Sequence, residues 1–349
     1  MIRNERDMRL LHLETVTGGA LGEAPLPAIL ADAECMRQAQ LRDLAELAWQ
    51  RRASSRPLQV RTLLDARLPA DAAPGIESRM VPPGGFDECL RDELRHSDAV
   101  WLTAPESGDE LASLSERIEA AGCRVLGSTA QAVRATASKS ACAHWLACHG
   151  VACVPTLRDP RPWQGAVPKL RGVVAKPDDG VGCEMQRRFD TPAQAWAWGR
   201  AVLGRRAVYQ PWLDGESLSL SLLCAQGRSS LLGVNRQWVV ERDGWLRLQA
   251  VTVNARPDPD GVLQRLGDAI ARALPGLWGH VGVDLVLVDA AAVVLEVNPR
   301  ATLSYCGLRE ALQLNPARLL LELPRLPESA NLRPSRSVRV ELAHVAAAA

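Results

Sequence analysis

The chain has 349 residues and a mass of 37.8 kDa, long enough for two or three packed domains. Hydrophobic residues make up 47% of it, which excludes a disordered chain, and no apolar run approaches the ~20 residues that span a bilayer. Forty-one basic side chains stand against 40 acidic ones, so the clustered positive excess that a nucleic-acid or anionic-membrane partner calls for is missing.

Taken in chain order, the first third alternates strand and helix. Leu10 to Glu14 reads as a short buried strand, Thr17-Gly18-Gly19 as a turn, and Leu26 to Arg52 as a long helix. Strand Leu58 to Leu64, helix Phe86 to Arg95, strand Ala99 to Thr103, helix Leu111 to Ala121 and strand Arg124 to Leu126 follow. Such βα repetition predicts a parallel sheet with helices on both faces. The TGGALG run at 17 to 22 keeps only the last two glycines of a GxGxxG, and Pro25 and Pro27 delay the helix, so a dinucleotide fingerprint and an NAD-linked oxidoreductase are weakly supported.

From about residue 127 the pattern changes. Helical pieces Thr129 to Ala137 and Ser138 to His149 lead into a segment with Pro155, Pro160, Pro162 and Pro168, read as a linker or lid approach. Strand Gly172 to Lys176, a glycine loop, strand Glu184 to Arg188, helix Thr191 to Leu203 and strand Arg206 to Gln210 come next. Closely spaced antiparallel strands are expected at Ser217 to Cys224, Ser229 to Val240 and Trp245 to Val253, then a helix from Asp258 to Leu274.

Nine cysteines are scattered without a CxxC pair, and Met1 to Arg9 lacks the apolar core of a secretory signal. Reduced thiols and a cytoplasmic location are the expectation. Cys142, His144, Cys148, His149 and Cys153 crowd one stretch, but at spacings no zinc-ligand pattern shows.

The basic residues are very unequal: 38 are Arg and three are Lys, namely Lys139, Lys169 and Lys176. A surviving Lys suits a place where a compact ammonium is needed and a planar guanidinium does not fit. Lys176 ends an apolar strand and is followed by Pro177-Asp178-Asp179-Gly180-Val181-Gly182-Cys183, whose backbone N–H groups can cradle phosphate oxygens. Lys139 opens a helix, and Lys169 reads as solvated.

The hairpin Val281 to Arg300 carries the most chemistry. With a three-residue loop at 289 to 291, Val288 pairs with Ala292, and Asp284 then faces Glu296. Facing carboxylates repel, so a cation between them is implied. Asn298 on the same face adds a neutral oxygen, and an all-oxygen set suits Mg²⁺ shared with phosphate. The alternative pairs Asp284 with an arginine and leaves Glu296 as a strand cap.

This ordered set, Lys139, Lys176 with its glycine loop, Tyr209-Gln210-Pro211-Trp212-Leu213 before Gly215, Asp284, and Glu296-x-Asn298-Pro299-Arg300, resembles the ATP-grasp superfamily of carboxylate–amine ligases over roughly residues 127 to 323. The resemblance implies an α/β ATP-grasp fold. Residues 1–127 would form a Rossmann-like parallel-sheet domain, 128–209 a small central α+β lid, 210–325 an α+β part with an antiparallel sheet and the Mg²⁺ site, and 326–349 a terminal strand and tail. Lys139 and Lys176 would contact ATP phosphates, with Asp179, Gly180 and Gly182 closing over them. Gln210, Pro211, Trp212 and Leu213 would meet the adenine edge, and Glu216 the ribose. Asp284, Glu296 and Asn298 would hold Mg²⁺, one ion or two, with Mn²⁺ able to substitute. Arg300 would steady the transferred phosphoryl group or the acyl phosphate.

Two stretches narrow the resemblance to the tyramine–glutamate ligase group of methanofuran-type cofactor synthesis: Leu13-Glu-Thr-Val-Thr-Gly-Gly-Ala-Leu21 and Asn298-Pro-Arg-Ala-Thr-Leu-Ser-Tyr-Cys-Gly-Leu308, the latter with Leu303 where the group has Thr. Asn235-Arg236-Gln237 adds a third match. The group implies glutamate as the activated acid and an aromatic amine as acceptor, with Asn235, Arg236, Arg300, Thr302, Ser304 and Tyr305 near the acid; the local alternative makes Thr302 to Tyr305 a helix-leading loop. Homodimers are common in the family, and no stripe in this sequence establishes one. Another amino-acid or dipeptide ligase, and a nucleotide-binding subunit without turnover, are the competing functions.

Overall fold

The computed structural model describes residues 7–22, 27–69, 73–163, 171–180, 185–323 and 335–342. The N-terminal part is a five-stranded parallel sheet. Its elements are β1 (Met8–Glu14), α1 (Pro27–Arg51), β2 (Leu58–Asp65), β3 (Ile76–Val81), α2 (Phe86–His96), β4 (Ala99–Thr103), α3 (Glu110–Ala120) and β5 (Arg124–Val125), with strand order β3-β2-β1-β4-β5. Alternation decides the layers: Leu10, Val60 and Trp101 face α1, whereas Leu11, Leu63, Val100 and Leu102 pack with Cys89, Leu90 and Ile118 of α2 and α3. Strand β3 is absent from the sequence expectation. Its residues, Ile-Glu-Ser-Arg-Met-Val, carry a half-exposed edge pattern with little apolar signal.

Helices α4 (Ala130–Ala137) and α5 (Lys139–Cys148) follow. Each is capped by the residue before it, the Thr129 hydroxyl accepting from Ala132 N and Ser138 from Ala141 N. The remainder is a sheet of β6 (Val173–Pro177), β7 (Arg187–Phe189), β8 (Ala207–Pro211), β9 (Glu216–Ala225), β10 (Arg228–Arg242), β11 (Trp245–Arg256), β12 (Gly279–Val288), β13 (Ala291–Asn298) and β14 (Val338–Glu341). The order is β13-β12-β9-β10-β11-β7-β6-β8, with β14 on β11. Helix α6 (Pro192–Val202), entered through a Thr191/Gln194 capping box, covers the β6–β8 end. Helix α7 (Val262–Ala273) starts later than the sequence suggests, because the Asp258 carboxylate reaches forward to accept from Leu263 N and Gln264 N. Helices α8 (Tyr305–Leu312) and α9 (Pro316–Glu322) close the chain's described core against α1.

One strand explains how this sheet separates core from site. β9 reads Glu-Ser-Leu-Ser-Leu-Ser-Leu-Leu-Cys-Ala: Leu218, Leu220 and Leu222 pack with Val281, Val283, Leu285 and the α5 and α7 side chains, and Ser217, Ser219 and Ser221 line the opposite face. The hairpin β12–β13 corrects the expected turn. Val288 pairs with Ala291, so the loop is the two residues Asp289 and Ala290, both at positive φ (46° and 67°), as the tight turns that match strand twist require. A one-residue bulge at Leu295 then shifts the register, so Asp284 still lies opposite Glu296.

Candidate active site

Both lysines are buried. Lys139 (5% exposed) is the first residue of α5, and Lys176 (3% exposed) is the penultimate residue of β6. Their ammonium groups converge on one carboxylate: Glu296 Oε2 lies 3.3 Å from Lys139 Nζ and 3.7 Å from Lys176 Nζ. Lys139 Nζ also donates to the Gly180 carbonyl. Asp178 ties the two lysine-bearing elements together. Its carbonyl accepts from Lys139 N (3.0 Å), and its carboxylate accepts from Ser138 Oγ (2.7 Å), Ser140 N (2.8 Å) and Arg158 Nη2 (2.6 Å).

Asp284 shares the polar face. Gln237 Nε2 donates to its Oδ1 (2.9 Å) and Asn298 Nδ2 lies 3.4 Å from its Oδ2; no arginine pairs with it among the described contacts. The facing carboxylates titrate in opposite directions. Burial first, then the Glu296 charge, pushes Asp284 up to about 7. Burial alone would raise Glu296 too, but the Lys139 and Lys176 ammoniums outweigh it and hold that carboxyl below its ordinary range. Glu296 Oε2 is buried and accepts no hydrogen bond among the described residues. A buried carboxylate oxygen with only ammoniums before it, a second carboxylate and an amide across the hairpin fit a hard divalent cation. No group of three His, Cys, Asp or Glu side chains that could hold a metal occurs among the described residues, so a cation here would rely on Asn298 for its third protein oxygen.

The polar face continues over β9 and β10. Buried Asn235 donates to Ser219 Oγ (3.2 Å) and Ser221 Oγ (2.9 Å), Ser221 meets Ser304 (2.8 Å), and Ser304 meets Thr302 (3.0 Å). Gly282 leaves the room: a Cβ there would come within 2.6 Å of Thr302 Cγ2. Arg300 lies at the edge and forms a paired contact with Glu106, beyond the end of β4 (Nε–Oε1 3.0 Å, Nη2–Oε2 3.1 Å).

Three residues of the sequence set are not brought to the polar face. Period two along a strand places Arg236 on the face opposite Asn235, where it stacks over Trp238 (4.4 Å). Glu216 lies on that far face too, 3.3 Å from Arg256 and 3.8 Å from Arg236, away from Asp284. Tyr305 is 1% exposed, with its hydroxyl donating to Asp43 of α1 (2.9 Å) in the apolar core. The 17–19 turn is tied down within the fold: Glu14 accepts from Val16 N, Thr17 N and Thr17 Oγ1, and the Thr17 carbonyl accepts from Asp65 N at the end of β2 (2.8 Å). Gln210 Nε2 donates to Thr156 Oγ1 (2.9 Å), Trp212 N to the Gly172 carbonyl (2.8 Å), and Pro211 and Leu213 flank them where β8 ends. Asp179 Oδ1 is buried without a hydrogen-bond partner among the described residues; Gly182 and Lys169 lie outside them.

Sequence reasoning gives no role of their own to Gln237, Asp178 and Glu106. The alternation Asn235-x-Gln237 opposite Ser217-x-Ser219-x-Ser221 could have given the first its role; Asp178 stands there only within the loop after Lys176, and nothing local marks Glu106.

Residues 136–304 match the family described as an ATP-grasp domain, and 58–133 match the pre ATP-grasp 3 domain. The chain belongs to the ATP-grasp superfamily. Among relatives of this ATP-grasp protein, the tyramine–L-glutamate ligase of Methanocaldococcus jannaschii is 26% identical over 212 residues, which is 61% of this chain and 58% of that protein. Its counterpart in Methanocaldococcus fervens is 34% identical over 102 residues, 29% of this chain and 33% of that one. The matched stretches thus span about three-fifths and a third of those relatives. A crystal structure of an ATP-grasp superfamily protein from Archaeoglobus fulgidus superposes with a TM-score of 0.68 at 20% identity, covering 95% of this chain and 91% of the other, so the two share the fold.

Proposed function

We propose that this ATP-grasp protein is a Mg²⁺- and ATP-dependent carboxylate–amine ligase that joins glutamate to tyramine or a related aromatic amine. One observation carries the reading: two buried ammonium groups, on elements far apart in sequence, meet at a carboxylate that faces a second carboxylate across a hairpin. Neither charge pattern is a sound way to build a core, and both suit a triphosphate with its cation. The ligase relatives support the substrate class.

In this reading residues 1–127, 128–209, 210–325 and 326–349 are the functional divisions, the second boundary falling within β8. Lys139 and Lys176 bind phosphate oxygens, and Asp179, Gly180 and Gly182 close over them. Gln210, Pro211, Trp212 and Leu213 hold the adenine edge. Asp284, Glu296 and Asn298 would hold Mg²⁺, which neutralises phosphate charge when bound. Arg300 steadies the phosphoryl group, and Asn235, Thr302 and Ser304 offer hydrogen bonds to the acid. A carboxylate becomes an acyl donor once its oxygen is phosphorylated, and attack by the amine on the acyl phosphate then forms the amide and releases phosphate. Such chemistry asks the protein for positioning and charge compensation rather than a covalent nucleophile. A homodimer is proposed with it, to be checked by light scattering.

The test is ADP and phosphate release with mass spectrometry of the product. Glutamate and tyramine together, and neither alone, are expected to sustain turnover, and Lys176→Ala is expected to abolish it with the fold retained. Turnover with other acid–amine pairs alone would move the assignment to another ligase. Nucleotide binding without product across a broad panel would replace the ligase with a sensor.

A further inference from the structure

The interface between the parallel-sheet domain and the site loop is built around α1 and α8. Asp43 of α1 accepts from Tyr305 Oη (2.9 Å) and Arg309 Nη1 (2.8 Å), its carbonyl accepts from Asn315 Nδ2 (2.9 Å), and Arg309 also pairs with Glu46. Nearer the start of α1 is a contact that this polar set does not explain. Cys35 Sγ lies 3.4 Å from Cys306 Sγ, across 271 residues of sequence. Cys306 is the second residue of α8 and follows Ser304, whose hydroxyl contacts Ser221 on the polar face of the sheet.

We propose that Cys35 and Cys306 are a thiol pair that a hydroperoxide converts into a reversible disulfide, stapling α1 to α8 directly behind the loop that carries Arg300, Thr302 and Ser304. A disulfide needs sulfurs about 2.05 Å apart. From 3.4 Å the remaining approach is small, and α8 lies on the same packed interface as α1.

The chemistry balances with the peroxide as oxidant. The Cys35 thiolate attacks one peroxide oxygen, the O–O bond breaks, and a sulfenic acid and hydroxide result. The Cys306 sulfur then attacks the sulfenic sulfur, forming the S–S bond, and the departing hydroxide takes the Cys306 proton and leaves as water. Two electrons pass from the two thiols to the peroxide. The contact between the thiols lowers Cys35 to about 7 and raises Cys306, which assigns the attacking thiolate to the half-buried Cys35. Burial drives Cys142 and Cys224 the other way, up to about 12 each.

The experiment treats the full chain with hydrogen peroxide, then blocks residual thiols with iodoacetamide and maps peptides without reduction. A Cys35–Cys306 linked peptide is expected, with a mass loss of about 2 Da that dithiothreitol reverses. The same treatment of Cys306→Ser is expected to leave Cys35 as a sulfenic or sulfinic acid with no linked peptide. Oxidised wild-type protein should also melt several degrees above the reduced form, and Cys306→Ser should not. Oxidation confined to other cysteines, with Cys35 and Cys306 both alkylated, overturns the pair. A linked peptide with an unchanged melting temperature overturns the staple. Differential alkylation of the wild type separates the same outcomes should a serine variant fail to fold.

Discussion

The two facing carboxylates should respond oppositely to loss of charge. Glu296→Gln keeps the side chain's shape and removes a carboxylate charge shared by two ammonium groups at 3.3 and 3.7 Å. At an effective dielectric near 20 the two contacts are worth roughly 5 and 4.5 kcal/mol in gross Coulomb terms. Relief of the Asp284 repulsion and of one buried charge offsets part of this, and removing one side of a buried ion pair typically leaves a net loss of about 3 kcal/mol. Asp284→Asn works in the other direction. The Asp284 carboxyl is pushed up to about 7 from an ordinary 3.8, so ionising it in the folded chain costs about 4 kcal/mol. Weakened hydrogen bonding to Gln237 and Asn298 returns about 1–2 kcal/mol of that. In the nucleotide-free protein at pH 8 with chelator present, urea unfolding should therefore show Glu296→Gln destabilised and Asp284→Asn about 2–3 kcal/mol more stable. Both variants should lose turnover. Equal destabilisation by the two substitutions, or a Glu296→Gln as stable as wild type, would refute the electrostatic account and leave the pair as ordinary sheet residues.

Asp178→Ala removes the acceptor of Ser138, Ser140 and Arg158 and loosens the end of α5 that presents Lys139; about 2 kcal/mol of stability and a roughly tenfold rise in the ATP Michaelis constant are expected, with Asp178→Asn recovering part of both. A stability loss with an unchanged ATP constant would deny Asp178 its positioning role. Gly282→Ala forces Thr302 to move and should cost about 1–3 kcal/mol, most of it recovered in the double variant with Thr302→Ser; additive effects by denaturant unfolding would show that the two do not touch. His12 and His280 are buried, and burial lowers each to about 4. The unfolded chain binds these protons from pH 6.5 downward and the native one does not, so stability held above pH 6.5 is lost as pH falls toward 4, by up to about 1.4 kcal/mol per pH unit for each histidine. A flat stability profile between pH 4 and 6.5 would contradict that assignment.

Local pattern alone settled a good deal of this protein. The βα alternation of the first third, the antiparallel run from Ser217 and the hairpin at 281 to 300 are period and turn signals carried within single segments, and each formed close to where the sequence placed it. The facing of Asp284 and Glu296 was legible for a reason that needed correcting. A two-residue turn and a bulge at Leu295 together give the register that a three-residue turn would have given. Packing decided the rest. That Lys139 and Lys176 converge on one oxygen depends on α5 docking against β13 and on Asp178 joining α5 to β6, contacts between segments dozens of residues apart. Asn235 and Arg236, adjacent in sequence, part to opposite faces once β10 is paired, and Tyr305 turns into the core because Asp43 of α1 waits there. Glu106 reaches Arg300 only because two domains meet. Periodicity assigns a side chain to a face, whereas which faces meet is set by burial summed over the whole chain, and the charge-bearing site is made where they meet.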